Sequence, residues 1–190
     1  CGIASMTVSP NAFTCANVGA NTVTLSVTDN NGNSSACTAI VTVQDNIDPT
    51  AICQNITVQL DATGNRSITP AEVNNGSFDN CSILSLSVTP NSFNCSNVGA
   101  NTVTLTVTDV NGNSSTCTAT VTVQDNVAPV ANCQNITVQL NAAGTASITA
   151  AQVNNNSSDA CGIDTMTVSP NSFTCANVGS NTVTLTVTDV

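Results

Sequence analysis

The chain of 190 residues carries a net charge of −10, with eleven acidic residues, one basic residue (Arg66), ten Cys and no His, Lys, Trp or Tyr. So acidic a balance argues against nucleic acid or an anionic membrane as partner, and no apolar run approaches the roughly 18 residues of a membrane span. Without His or Lys the chain lacks the usual general bases and amine nucleophiles, so no catalytic residue is expected; Cys without His reads as disulfides made in an oxidising, extracellular setting rather than as zinc ligands.

Every predicted element is a strand. Asn55-Ile-Thr-Val-Gln-Leu60 and Arg66-Ser-Ile-Thr69 are short strands separated by the turn-forming residues 62–65, and a Gly/Asn cluster over 74–80 precedes Ile83–Thr89. Asn101–Asp109 alternates strictly, with Val103, Leu105 and Val107 on one face and Thr on the other, the period of a half-buried strand. Asp109-Val-Asn-Gly-Asn113 then reads as a tight hairpin turn, because Asn-Gly supplies the positive-φ residues such turns need. Thr116–Asp125 returns with Cys117, Ala119, Val121 and Val123 facing inward. Nothing supports a helix longer than a turn, and short strands at this spacing indicate an all-β sandwich.

The same elements recur at 80 residues. Cys1, Cys81 and Cys161 are equivalent, as are Cys15, Cys95 and Cys175; Cys37 matches Cys117 and Cys53 matches Cys133, and residues 1–80 are identical to 81–160 at 55 of 80 positions without a gap. Such a period marks one small domain per repeat, strung in tandem. Asp45-Asn-Ile-Asp-Pro49 and Asp125-Asn-Val-Ala-Pro129 are short, Pro-stiffened linkers. The expected division is 1–45, the C-terminal part of one repeat; 46–125, a complete repeat; and 126–190, the N-terminal part of the next. The chain is expected to be a piece of a longer repetitive protein.

The run T-V-T-L-T-V-T-D-x-N-G-N-S-S-x-C-T-A-x-V-T-V, preceded by F-x-C-x-N-V-G-x-N and by C-Q-N-I-T-V, resembles the hyalin-repeat (HYR) family and, in its hairpin, the related polycystic-kidney-disease repeat. These are immunoglobulin-like modules of animal surface proteins and of secreted and surface arrays in Bacteroidetes-type bacteria. The resemblance implies tandem immunoglobulin-like sandwiches in a rod-like array. It covers the whole chain but departs from the family in the extra pair Cys81 and Cys95 and in a core without large aromatics beyond Phe13, Phe93 and Phe173.

In such a sandwich part of the first strand runs parallel to the last. Cys53 and Cys117 then sit at the entry of adjacent parallel strands, with a one-residue bulge between them, and the resemblance implies the same pair. Cys81 and Cys95 are then expected to pair across a 15-residue loop, and likewise Cys1 with Cys15 and Cys161 with Cys175. Cys37 and Cys133 are expected to have their partners outside these residues.

The acids are the remaining polar constellation. In a sandwich of this type the loop with Asp79 and the hairpin with Asp109 face the linker with Asp45 and Asp48, which resembles the oxygen-rich calcium sites between cadherin-like domains. One Ca²⁺ is expected on Asp45, Asp79 and Asp109 with Asp48 near, and a copy on Asp125, Asp159 and Asp189. The competing role is turn formation through side-chain-to-backbone hydrogen bonds, favoured for Asp29 and Asp109. Asp48 becomes Ala128 and Asp61 becomes Asn141 in the next copy, against a uniform site. Asp164-Thr165-Met166 resembles a Bacteroidetes-type O-glycosylation motif at Thr165. The functional expectation is a structural segment of an extracellular adhesin, stalk or filament, partnered by neighbouring repeats and by identical chains. The alternatives are an array whose loops bind glycan or protein, or a spacer in a secreted enzyme; the lack of Trp and Tyr weighs against sugar binding.

Overall fold

The computed structural model describes residues 2–190 and is an all-β fold. Its elements in chain order are β1 (Ile3–Ser9), β2 (Gly19–Asp29), β3 (Ser34–Val43), β4 (Ile56–Gln59), β5 (Asn65–Ser67), the single turn α1 (Pro70–Val73), β6 (Ile83–Thr89), β7 (Ser92–Asn94), β8 (Gly99–Asp109), β9 (Ser114–Gln124), β10 (Thr145–Ser147), the single turn α2 (Ala150–Val153), β11 (Ile163–Ser169), β12 (Ser172–Thr174) and β13 (Thr184–Asp189). β1, β6 and β11 start 80 residues apart, as do β2 and β8 and the two turns α1 and α2.

Alternation decides which strands meet. β1–β2–β3 is an antiparallel sheet, and the equivalent strands of the middle repeat, joined by β4, make a four-stranded sheet in the order β4–β9–β8–β6. β4 runs parallel to β9, with Ile56 opposite Val121 and Val58 opposite Val123. A second, two-stranded sheet pairs β5 with β7, Arg66 lying opposite Phe93. Val103, Leu105, Val107, Val121 and Phe93 are buried, each such side chain contributing about 1.5–3 kcal/mol by leaving water. In the last repeat β10 pairs with β12 and β11 with β13, around a smaller cluster of Ile148, Val153, Phe173 and Leu185.

The shortest elements carry no periodic signal in the sequence. β7 is three residues long, too short for alternation to register. The turns α1 and α2 are made by capping: Glu72 accepts the Thr69 backbone N–H at 2.7 Å, and Gln152 accepts the Thr149 N–H at 2.9 Å, the reciprocal cap that starts a helix.

The chain divides into two compact units: Cys1–Gln54 with Val73–Val88 and Thr104–Thr118, and Asn55–Glu72 with Thr89–Val103 and Ala119–Val190. Each unit thus brings part of the middle repeat together with a neighbouring repeat.

Candidate functional site

The residues that bond one repeat to the next are the chemically distinctive part of the molecule. Three disulfides are formed among the described residues: Cys53–Cys117, Cys15–Cys81 and Cys95–Cys161, with Cα–Cα distances of 5.9, 5.3 and 5.1 Å. The first stands at the entry of the parallel pair β4 and β9. The other two each span 66 residues and tie the third-strand Cys of one repeat to a Cys of the repeat before it.

This corrects the expected pairs Cys81–Cys95, Cys1–Cys15 and Cys161–Cys175. After Cys81 the chain runs out along β6 for seven residues, about 23 Å at 3.3 Å per residue. β7 then turns to pair with β5 instead of returning along β6, and Cys95, which follows β7, bonds Cys161. A bridge needs Cα atoms within about 7 Å. Cys1 lies outside the described residues; Cys15 is already bonded to Cys81. Cys37, Cys133 and Cys175 are free and exposed.

A glycine that spacing arguments pass over makes one joint fit. Gly64 has φ +72°, and a Cβ there would lie 2.6 Å from Cys95 Sγ and 3.3 Å from Ala160 Cβ. The turn 61–65 is thus closed against the bridge and against the last repeat, which only a residue without a side chain allows. Its signal in the sequence is the Gly shared by Asp61-Ala-Thr-Gly64 and Asn141-Ala-Ala-Gly144.

Beside the Cys15–Cys81 bridge the structure brings together Asp45, Asp79 and Asp109, with one carboxylate oxygen from each within 4.8 Å of the others. Asp109 is fully buried and closes its hairpin: Oδ1 accepts the backbone N–H of Asn111 and Asn113 at 2.9 and 2.8 Å, and Oδ2 accepts the Asn113 side-chain amide at 2.8 Å. Burial opposes the charge on Asp109, yet these donors outweigh it and hold its pKa below the ordinary carboxylate value. Asn111 and Asn113 also reach the linker, donating to Asp45 Oδ2 at 2.9 Å and to the Asp45 carbonyl at 3.2 Å. Asp79 Oδ2 accepts the N–H of Cys81 and Ser82 at 2.7 and 3.1 Å, while its Oδ1 is buried with no hydrogen-bond partner. Asp29 closes an equivalent turn through Asn31 and Asn33, so the turn-forming role is real at both positions.

The chemistry of this donor set suits a hard cation. Carboxylates held this close repel one another, and the chain's one Arg, Arg66, is bound to Glu72 at 2.7 Å. Three carboxylates, one of which (Asp79) has a buried oxygen without a hydrogen-bond partner, match part of the six to eight oxygens Ca²⁺ takes.

The other acids are placed differently. Asp125 and Asp159 lie together, but the third group within 4.8 Å is Cys161, whose sulfur is bonded to Cys95. Asp189 is outside that cluster, and its Oδ1 accepts the N–H of Val190 at 2.7 Å. Asp125 Oδ2 is buried and unpaired. Asp48 is exposed and belongs to neither cluster. Thr165 is exposed on β11, opposite Thr188. No helix among the described residues is long and apolar enough to cross a membrane.

No family model matches the chain, and no curated protein does. Among solved structures it is similar to extracellular cadherin domains 1–4 of protocadherin gamma B7, at 14% identity and TM-score 0.34 over 99% of this chain. It is also similar to domains EC3–6 of protocadherin gamma B7 in a cis-dimer structure, at 21% identity and TM-score 0.29 over 80% of this chain. The chain spans 59% and 45% of those two chains. At TM-scores below 0.5 these likenesses carry no weight below; the β assignment stands on the strand pairing.

Proposed function

We infer that the chain is a structural segment of an extracellular array, the stalk or filament of a surface adhesin, built of HYR-like modules divided at 45/46 and 125/126. The supporting observation is the covalent route through the disulfides. With Cys15–Cys81 and Cys95–Cys161 closed, the shortest bonded path from Cys1 to Val190 runs through residues 1–15, 81–95 and 161–190 and skips 16–80 and 96–160. Tension along the chain bypasses most of each repeat, which suits a tether and adds nothing to a loop-borne binding site. Disulfides of this density belong to an oxidising compartment, outside the cell. Thr165 is the position at which we place an O-linked glycan.

Stretching single molecules between their ends tests this. At about 3.4 Å per residue the bridged chain reaches roughly 200 Å and the reduced chain roughly 650 Å. An oxidised chain that extends to the reduced length contradicts the tether reading.

Calcium is the second part of the proposal: one ion on Asp45, Asp79 and Asp109, and a weaker one at Asp125 and Asp159. Binding in the range of extracellular modules, a Kd of roughly 0.1–1 mM, stabilises by about 1–2 kcal/mol at ten- to twentyfold excess over Kd, a Tm rise of a few degrees. Asp79→Asn removes that rise. A Tm unmoved by calcium up to several millimolar returns these acids to turn formation alone.

A further inference from the structure

The chain contains three Asn-Gly pairs, at 31–32, 75–76 and 111–112. Such a pair can modify itself: the backbone nitrogen after the Asn attacks the side-chain Cγ, and Gly in that place offers no side chain to hinder the approach. In a folded chain the reaction waits until any bonds that hold the nitrogen and the amide have opened.

Two of the pairs are held. The Gly32 and Gly112 N–H groups donate to the Asp29 and Asp109 carbonyls at 3.1 and 3.4 Å, closing their hairpins. The carboxylates of the same residues fix the turns, Asp29 Oδ1 accepting from Asn31 and Asn33 and Asp109 Oδ1 from Asn111 and Asn113. Asn111 is held again by its side-chain amide, which donates to Asp45 Oδ2 at 2.9 Å. Asn75-Gly76 differs. Both residues are exposed, Gly76 takes φ +79° in open space, and among the described residues neither the Asn75 side chain nor the Gly76 N–H has a hydrogen-bond partner. Exposure alone does not set the pair apart, since Asn31 and Gly32 are exposed too. It belongs to the loop itself: the copy, Asn155-Asn156, is also exposed with the complete middle repeat before it.

We propose that Asn75 is a self-modification site, converting to aspartyl and isoaspartyl residues while Asn31 and Asn111 persist. The Gly76 nitrogen bonds to Asn75 Cγ, and Nδ2 leaves as ammonia with the proton that Gly76 gives up. A five-membered imide remains, and water opens it. Attack at Cγ leaves an aspartyl residue; attack at the main-chain carbonyl leaves an isoaspartyl one, with the chain routed through the side-chain carboxyl carbon. Either product adds a negative charge to a chain of net charge −10. The isoaspartyl form also lengthens the main chain between two bonds to Ile52, the Asn75 N–H to its carbonyl at 2.9 Å and its N–H to the Ser77 hydroxyl at 2.9 Å. The loop thereby loosens its hold on residues 50–54, once and irreversibly. None of this needs calcium or the tension route, so either of those readings can fail without it.

The test stores the 190-residue chain in mildly alkaline buffer, folded and in denaturant, then reduces it and digests it with an endoproteinase that cuts before Asp. Asn31, Asn75 and Asn111 fall in peptides 29–44, 61–78 and 109–124. In the folded chain 61–78 is expected to exchange NH₂ for OH at least tenfold faster than the other two, at position 75 by fragmentation. The aspartyl product opens a new cut before that position and the isoaspartyl product leaves the peptide whole. In denaturant the three pairs are expected to convert at similar rates, and Gly76→Asn, which copies the pair at 155–156, slows the folded reaction at least tenfold. Peptide 61–78 unchanged in the folded chain, or 29–44 or 109–124 converting as fast, overturns the proposal. So does a gain that survives Gly76→Asn, or a preference for 61–78 that persists in denaturant.

Discussion

Residues 53–60 and 133–140 have one sequence, Cys-Gln-Asn-Ile-Thr-Val-Gln-Leu, and two structures. In the middle repeat the core of that segment is β4, with Val58 at 6% exposure; in the last repeat it forms no strand, and Val138 is 39% exposed. The difference is the neighbour. β4 has β9 beside it, whereas no strand lies beside residues 136–139 among those described. Four residues of strand hold too few hydrogen bonds to stand alone, so β propensity here is a capacity to fit a partner, not an intrinsic state.

Side-chain truncation gives the largest expected contrast. Leu105 on β8 is fully buried and Leu185 on β13, its copy, is 7% exposed in the smaller cluster with Ile148, Val153 and Phe173. Leu105→Ala is expected to cost about 2–5 kcal/mol and Leu185→Ala less than half of that, read by denaturant melts of the two variants. Equal costs would mean that the last repeat is as well packed as the middle one.

The glycine pair sharpens the comparison at the joints. A Cβ on Gly64 meets Cys95 Sγ, which is locked in a bridge, whereas a Cβ on Gly144 meets Cys175 Sγ at 2.8 Å, a free thiol that can move. Both positions have φ +72°, so both alanine variants carry backbone strain of about 1–3 kcal/mol. Gly64→Ala is expected to cost less in a Cys95→Ala background than in the native one, a coupling that a double-mutant cycle measures.

The smallest effect separates charge from capping. The Thr69 N–H and hydroxyl, then Arg66, hold the Glu72 pKa below its ordinary value, so the stability it adds is present above the unfolded carboxylate pKa and is lost as pH falls through the folded one. Gln152 makes the same cap in the last repeat without titrating. Glu72→Gln is expected to change stability at pH 7 by well under about 1 kcal/mol and to flatten the fall in Tm between neutral pH and pH 3. An unchanged acid slope assigns that fall to Asp29, Asp61 and Asp109, whose pKa values are also lowered by hydrogen bonds.

Much of this was legible in the residues. Strict alternation marks Val103, Leu105 and Val107 as one buried face, and Asn-Gly marks the hairpin in which Gly112 takes φ +95°. The acids Asp45, Asp79 and Asp109 meet because turns and linkers at one end of a sandwich converge. The bonds between repeats were hidden by the periodicity itself: in an 80-residue lattice Cys95 stands 14 residues after Cys81 and 66 before Cys161, and composition does not distinguish them. Only the course of β6 and the pairing of β7 with β5 decide, and three-residue strands leave no pattern to read.

The central claim is that successive repeats are covalently joined, and one digest tests it. An endoproteinase that cuts before Asp leaves Cys81 and Cys95 together in peptide 79–108, Cys15 in 1–28 and Cys161 in 159–163. Mass spectrometry of the unreduced, alkylated digest is expected to show 79–108 linked to both of the others, a three-peptide species that reduction dissolves. Peptide 79–108 alone, two hydrogens lighter than its reduced form, would place the bridge within one repeat and contradict the account.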